Sequence, residues 1–164
     1  MVDCFGLVCY PFAMEQVFWN TGNGHSYKQT DFPLLDLAEI PGPDFFRLVA
    51  EVNGGLLYLA SPYRSSWRIT DSQARRRREQ VIDLTDRLLD AGVWAFSPIA
   101  YGSAFEDRGH EHDSRWWMRR DFEFFKHCDL LAVYCLKGWE DSPGVNKEID
   151  WALTTNKPVL LIEE

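Results

Sequence analysis

The sequence predicts an α/β fold: a parallel sheet of the flavodoxin or Rossmann-like kind, with helices on both faces and an N-terminal extension. Three observations carry this. Short apolar runs recur at Leu56–Ala60, Val93–Phe96, Leu130–Leu136 and Pro158–Ile162, each of strand rather than helix length. Helical periodicity fills the spaces between them, and strand–helix alternation at this spacing closes into a parallel sheet by right-handed crossovers. The stretch from Asp129 to Ala152 then places a strand, a polar loop and a helix start in succession, the place where open α/β sheets hold ligands.

Residues 1–55 read as a separate extension that packs on the domain or builds an interface. Phe5–Phe12 has strand character, Pro43–Val52 puts Phe45, Leu48 and Val49 on one helical face, and Asn20–Ser26 and Asp31–Pro33 read as loop. From residue 56 the pattern is clearer. LLYLA (Leu56–Ala60) is a strand ended by the turn-prone Ser61, Pro62, Tyr63 and Arg64. Asp71–Asp90 is a helix with Val81, Leu84, Leu88 and Leu89 at helical spacing and Gly92 just past its end. Its arginine block, Arg75–Arg78, reads as a solvated face, with one guanidinium in reach of a phosphate as the sharper alternative.

Val93–Phe96 is the next strand, closed by Ser97-Pro98, and Ile99–Asp113 reads as a long polar loop of the kind that serves as a lid. On the following helix, Ser114–His127, Asp121 shares a stripe with Trp117, Phe124, Phe125 and Cys128. A carboxyl among apolar neighbours is costly unless paired or employed in a cleft; the pattern leaves open whether Asp121 is such a group or a boundary residue paired to Arg119 or Arg120. In the final helix, Ser142 is the N-cap, Pro143 occupies the first turn, and Val145, Ile149 and Ala152 form the apolar stripe. Free amides at this helix start suit an anion, and Glu148 lies six residues beyond Ser142.

Composition bounds the function. The chain has 164 residues, is 46% hydrophobic and 15% aromatic, and carries a net charge of -8. The size fits one domain with a full core, and the charge argues against a nucleic-acid polymer as partner. No apolar run approaches the ~20 residues of a membrane helix, and the acidic start of MVDCFGLVCYPFAMEQ is unlike a secretion signal, so the expected location is the cytoplasm. Cys4, Cys9, Cys128 and Cys135 lack metal spacing and read as free, mostly buried thiols. His110, His112 and His127 read as scattered imidazoles, and no metal or other cofactor is expected. Neither GxGxxG nor GxxxxGK[ST] occurs, which weakens an oxidoreductase or ATPase reading.

Five pieces in order carry a family resemblance: YLASPY (Tyr58–Tyr63), FSPI (Phe96–Ile99), WWMRRD ending at Asp121, CDLLAV (Cys128–Val133) and GWEDSPGVNKEIDWA (Gly138–Ala152). Through them residues 56–164 resemble the nucleoside 2'-deoxyribosyltransferase and 2'-deoxynucleoside 5'-phosphate N-hydrolase superfamily, in particular a bacterial and phage branch of it. The resemblance implies a flavodoxin-like fold and cleavage of an N-glycosidic bond. By position Glu148 is then the carboxylate nucleophile, Tyr58 sets its phenol beside nucleophile and sugar, and Asp121 faces the base as hydrogen-bond partner or proton donor. Ser142, rather than an acid, resembles the N-hydrolases that recognise a 5'-phosphate. The resemblance further implies substrate contacts from Ser142, Gly144, Ser61, Pro62, Tyr63 and Arg64, and a homodimer or larger homo-oligomer. As a departure from the family pattern, Trp139 and Glu140 crowd the loop beside Ser142, where they are expected to narrow the pocket or stack on a base.

The chemistry is consistent on its own terms. Breaking a nucleoside bond builds positive charge on the sugar, which a carboxylate stabilises and traps, while a second acid protonates the departing base. Positive potential at the helix start would keep Glu148 ionised, and aromatic surroundings would raise the Asp121 pKa. The expected activity is hydrolysis of (deoxy)nucleoside 5'-monophosphates to free base and sugar 5-phosphate without metal or organic cofactor. The alternatives are base exchange between deoxynucleosides and a non-catalytic module that senses or sequesters a nucleotide derivative.

Overall fold

The computed structural model describes residues 18–21, 25–28, 34–36, 55–64, 69–106, 108–109 and 112–163. The strand expected at 5–12 and the helix expected at 43–52 lie outside these. The first described elements are an antiparallel ladder of β1 (Phe18–Thr21) and β2 (His25–Lys28), in register from Phe18↔Lys28 to Thr21↔His25. Both ends of the stretch expected as loop, 20–26, are therefore paired strand.

The main sheet contains β3 (Leu34–Asp36), β4 (Leu57–Ala60), β5 (Ala95–Phe96), β6 (Leu130–Tyr134) and β7 (Val159–Glu163), ordered β3-β7-β6-β4-β5. Every pairing is parallel. From β4 the chain moves outward to β5, then returns across β4 to lay β6 on its other side. The strand order thus reverses between β4 and β6, and the crevice beyond their carboxyl ends is the natural ligand position of such a sheet.

Helix α1 (Asp71–Asp90) begins in a capping box: the Thr70 side chain accepts from the Gln73 backbone N–H, and the Gln73 side chain accepts from the Thr70 N–H. It ends at Gly92, whose φ of 82° only glycine adopts without strain. From its buried face, Val81, Leu84 and Leu88 pack with Leu57, Leu59, Leu130, Ala132 and Tyr134. On the opposite face, α3 (Ser114–Phe125) and α4 (Pro143–Thr154) bring Phe125, Val145, Ile149 and Ala152 against Tyr58, Leu131, Val133 and Leu161. Alternate residues of one strand thus serve two cores, and burying each of these aliphatic side chains stabilises the fold by about 1.5–3 kcal/mol.

Residues 99–113 are not one long loop. Helix α2 (Pro98–Glu106) occupies most of them. Ser97-Pro98, read from the sequence as a strand stop, is a helix start, with the Ala100 N–H on Ser97 Oγ at 3.3 Å and the Tyr101 N–H on the Ser97 carbonyl at 3.0 Å. Gly102 made the stretch look loop-like, but its role is contact: a Cβ there would stand 3.3 Å from the Trp117 indole. The strand expected at 93–96 is short because Trp94 is 74% exposed and only Ala95 and Phe96 pair with β4. Cys128 and Cys135 are free thiols, Cys128 buried. Among the described residues no helix is long and apolar enough to cross a membrane.

Candidate active site

Ser142 caps α4 with its side chain, accepting from the Val145 N–H at 3.5 Å, and Pro143 follows in the first turn. One and a half turns further, Glu148 is brought onto the buried side of the helix with Val145 and Ile149. There it meets Tyr58 from β4, whose hydroxyl donates to Glu148 Oε1 at 2.7 Å. Tyr58 is wholly buried, held edge-on against Phe125 with ring centroids 5.4 Å apart. The phenol therefore acts through Glu148 from beneath, rather than forming the cleft wall.

A cleft of about 390 Å³ opens above this pair, lined by the end of β4, the start of α4 and one side each of α2 and α3. Ser61, Tyr63, Arg64, Asp121, Ser142, Gly144 and Glu148 all line it, so most of the expected site residues converge. Two do not. Pro62 is buried outside the lining. Trp139, expected to narrow the pocket or stack on a base, is 3% exposed and packed with Val145 and Ile149 in the core. The turn that follows β6 folds it under α4, where its indole gains more by burial than it would at a wet rim.

The electrostatics differ from expectation at one point. Burial pushes the Glu148 carboxyl from 4.5 up to about 8; the Tyr58 hydrogen bond opposes this and the neighbouring Asp121 adds to it. Desolvation outweighs the helix-start potential, so burial favours the protonated form of Glu148. The Asp121 carboxyl, on the buried side of α3, is raised to about 7 by burial, the direction its aromatic surroundings predict. Of the arginines considered as its partner, Arg120 lies instead over the Trp116 ring, 3.2 Å from the centroid.

Further contacts set the rim. Tyr63 Oη donates to Glu106 Oε2 at 2.7 Å, joining the β4 turn to the end of α2. Arg64 is ion-paired to Asp71 at 2.8 Å. Arg77, from the block read as a solvated face, donates to the Tyr63 carbonyl at 3.0 Å and to the Lys137 carbonyl at 2.6 Å. It straps together the two turns that flank the crevice. Ser61 is 7% exposed and its Oγ has no hydrogen-bond partner among the described residues. Among the described residues no group of three or more His, Cys, Asp or Glu side chains is placed to hold a metal ion.

Sequence reasoning missed the α2 wall, formed by Pro98, Ile99, Gly102, Ser103 and Glu106. The signal was present as a second Ser-Pro helix start followed by i, i+4 and i+8 spacing. On α3, Ser114, Trp117 and Met118 line the cleft with Asp121, again one helical stripe.

No curated protein matches the chain. The family model described as "Domain of unknown function (DUF1937)" matches residues 55–164, a span that contains every side chain lining the cleft. The chain belongs to the DUF1937 family.

Proposed function

We propose that this protein is an N-glycosidase that hydrolyses (deoxy)nucleoside 5'-monophosphates to a free base and a sugar 5-phosphate. One observation carries the reading: Glu148 sits buried on the floor of a cleft, hydrogen-bonded by a buried phenol, with a second buried carboxyl, Asp121, in its field. The resemblance of residues 56–164 to the nucleoside deoxyribosyltransferase and nucleotide N-hydrolase superfamily adds support, since these are the positions it marks.

In this mechanism the ionised Glu148 attacks the anomeric carbon as the carbon–nitrogen bond breaks, and Asp121 gives its proton to the departing base. Water then cleaves the glycosyl ester, returning Glu148. Tyr58 holds the Glu148 carboxylate in one orientation. The α4 amides and Ser142 meet the phosphate. The two carboxyls must share one proton, so catalysis requires a pH at which the pair has lost only one. Positive charge growing on the sugar draws the ionised form onto Glu148.

The test is chromatography of nucleoside and deoxynucleoside 5'-monophosphates after incubation with wild type and Glu148→Gln. Free base from the wild type alone supports the reading. Equal release by Glu148→Gln sinks it. A mixed nucleoside formed on adding a second base would reassign the protein to base exchange, and tight binding without turnover would reassign it to nucleotide sensing.

A further inference from the structure

The charge and shape of the cleft narrow the substrate further than the glycosidase reading, on which this inference rests for its chemistry. Three of its lining residues are carboxylic: Glu106 at the end of α2, Asp121 and Glu148. The arginine among the described lining residues, Arg64, has its guanidinium committed to Asp71 at 2.8 Å and is half exposed. Ile99, Trp117 and Met118 line the same cleft. Trp117 is set against Gly102, where any side chain would crowd the ring at 3.3 Å. The Ser61 hydroxyl, buried and without a hydrogen-bond partner among the described residues, lines the same space, where a polar atom of a ligand would satisfy it.

We infer that the cleft takes N-glycosides whose base carries a fixed positive charge, an N-alkylated purine or a pyridinium ring, seated on Trp117 with its charge toward Glu106. An aromatic cation gains both from the indole face and from the Glu106 carboxylate. A neutral base gains from stacking and from a hydrogen bond to Asp121, without the charge.

The bond chemistry fits. In a cationic glycoside the anomeric carbon–nitrogen bond breaks with its electron pair going to nitrogen, so the base leaves neutral and needs no proton. The Glu148 oxygen forms the new bond to the anomeric carbon. One water then adds at that carbon, the ester oxygen leaves with its electron pair, and one proton is released to solvent. A cation in the cleft also favours the ionised Glu148 that attack requires, opposing the burial that raises its pKa to about 8.

Calorimetry on Glu148→Gln, with pairs matched in shape, tests this without relying on turnover. The probes are 7-methylguanosine 5'-monophosphate against guanosine 5'-monophosphate, and nicotinamide mononucleotide against its reduced form, whose nicotinamide ring is neutral. The cationic member of each pair should bind at least ~10-fold more tightly, and adding Glu106→Gln should remove most of that preference. Equal or weaker binding of the cationic members overturns the inference, as does a preference that survives Glu106→Gln unchanged. If Glu148→Gln fails to fold, the wild type reads the same ratios. Release of base by the wild type is scored separately: turnover without cation preference leaves the glycosidase reading standing and removes this one.

Discussion

Leu57 and Leu59 of β4 face α1, while Tyr58 and Ala60, interleaved with them, face α3 and α4. The α1 side is built from aliphatic groups plus Tyr134 and has no buried acid among its described core residues. The other side holds Tyr58, Asp121 and Glu148 beside its apolar cluster. One face of the sheet contributes cohesion, and the other accepts a penalty: two carboxyls whose ionised forms are disfavoured by burial. The contrast teaches that stability and chemistry are separated here by the two-residue period of a strand, at a resolution of one residue.

The largest expected effect that sharpens this contrast comes from Glu148→Gln. It should lower kcat/KM by about three orders of magnitude or more, ~4 kcal/mol of transition-state stabilisation, while raising stability at alkaline pH. The sign follows from linkage. Glu148 titrates near 4.5 unfolded and about 8 folded, so the folded state holds the extra proton in between, and stability falls as pH rises across that window. The variant should show a flatter melting temperature from pH 5 to 8 and exceed the wild type by a few kcal/mol at pH 8. A wild type whose stability rises over that range would break the argument.

Next in size is Leu84→Ala on the α1 side, which should cost about 2–5 kcal/mol in urea unfolding. The surviving folded fraction should keep its kcat. A fall in kcat per folded molecule would show that the two faces are coupled. A smaller effect belongs to Tyr58→Phe. Loss of its hydrogen bond removes the influence that lowers the Glu148 pKa, so the acidic limb of the pH–rate profile should move upward, with roughly tenfold loss at neutral pH, about 1.4 kcal/mol. An unmoved limb would show the phenol to be packing only.

The smallest is Gly102→Ala. A methyl group at 3.3 Å from the indole forces Trp117 toward the cleft, while alanine favours the helix by up to about 1 kcal/mol. Net stability should change by less than about 1 kcal/mol, and nucleotide affinity should fall several-fold by calorimetry. Unchanged affinity would remove Trp117 from the binding surface.

The contrast also explains what the sequence revealed. Strands β4, β6 and β7 were legible because each is buried on both faces and reads as an unbroken apolar run. Helices α1 and α4 announced themselves through caps and apolar stripes, and the spacing from Ser142 to Glu148 survives as a cap and a buried acid. Helix α2 was hidden because Gly102 and Ser103 lower its local propensity, for a reason that lies on another helix. Trp139 misled because a tryptophan in a turn reads the same whether the turn is open or folded beneath α4. The Glu148 pKa was misjudged because the helix-end effect is visible in sequence, whereas the depth of burial is a property of the assembled fold. Strand β3, three residues long, has no periodicity to detect.

That short strand has a consequence of its own. Leu34, Leu35 and Asp36 lie beside Leu161, Ile162 and Glu163, so the outermost rung of the sheet comes from a segment well before the first residue of the family match. The homology boundary and the hydrogen-bonding boundary of the molecule therefore do not coincide. A chain trimmed to begin at residue 55 would leave β7 with a bare row of amides and carbonyls along Leu161–Glu163, a template for unwanted pairing between copies. The family match thus covers four of the five described strands of this sheet.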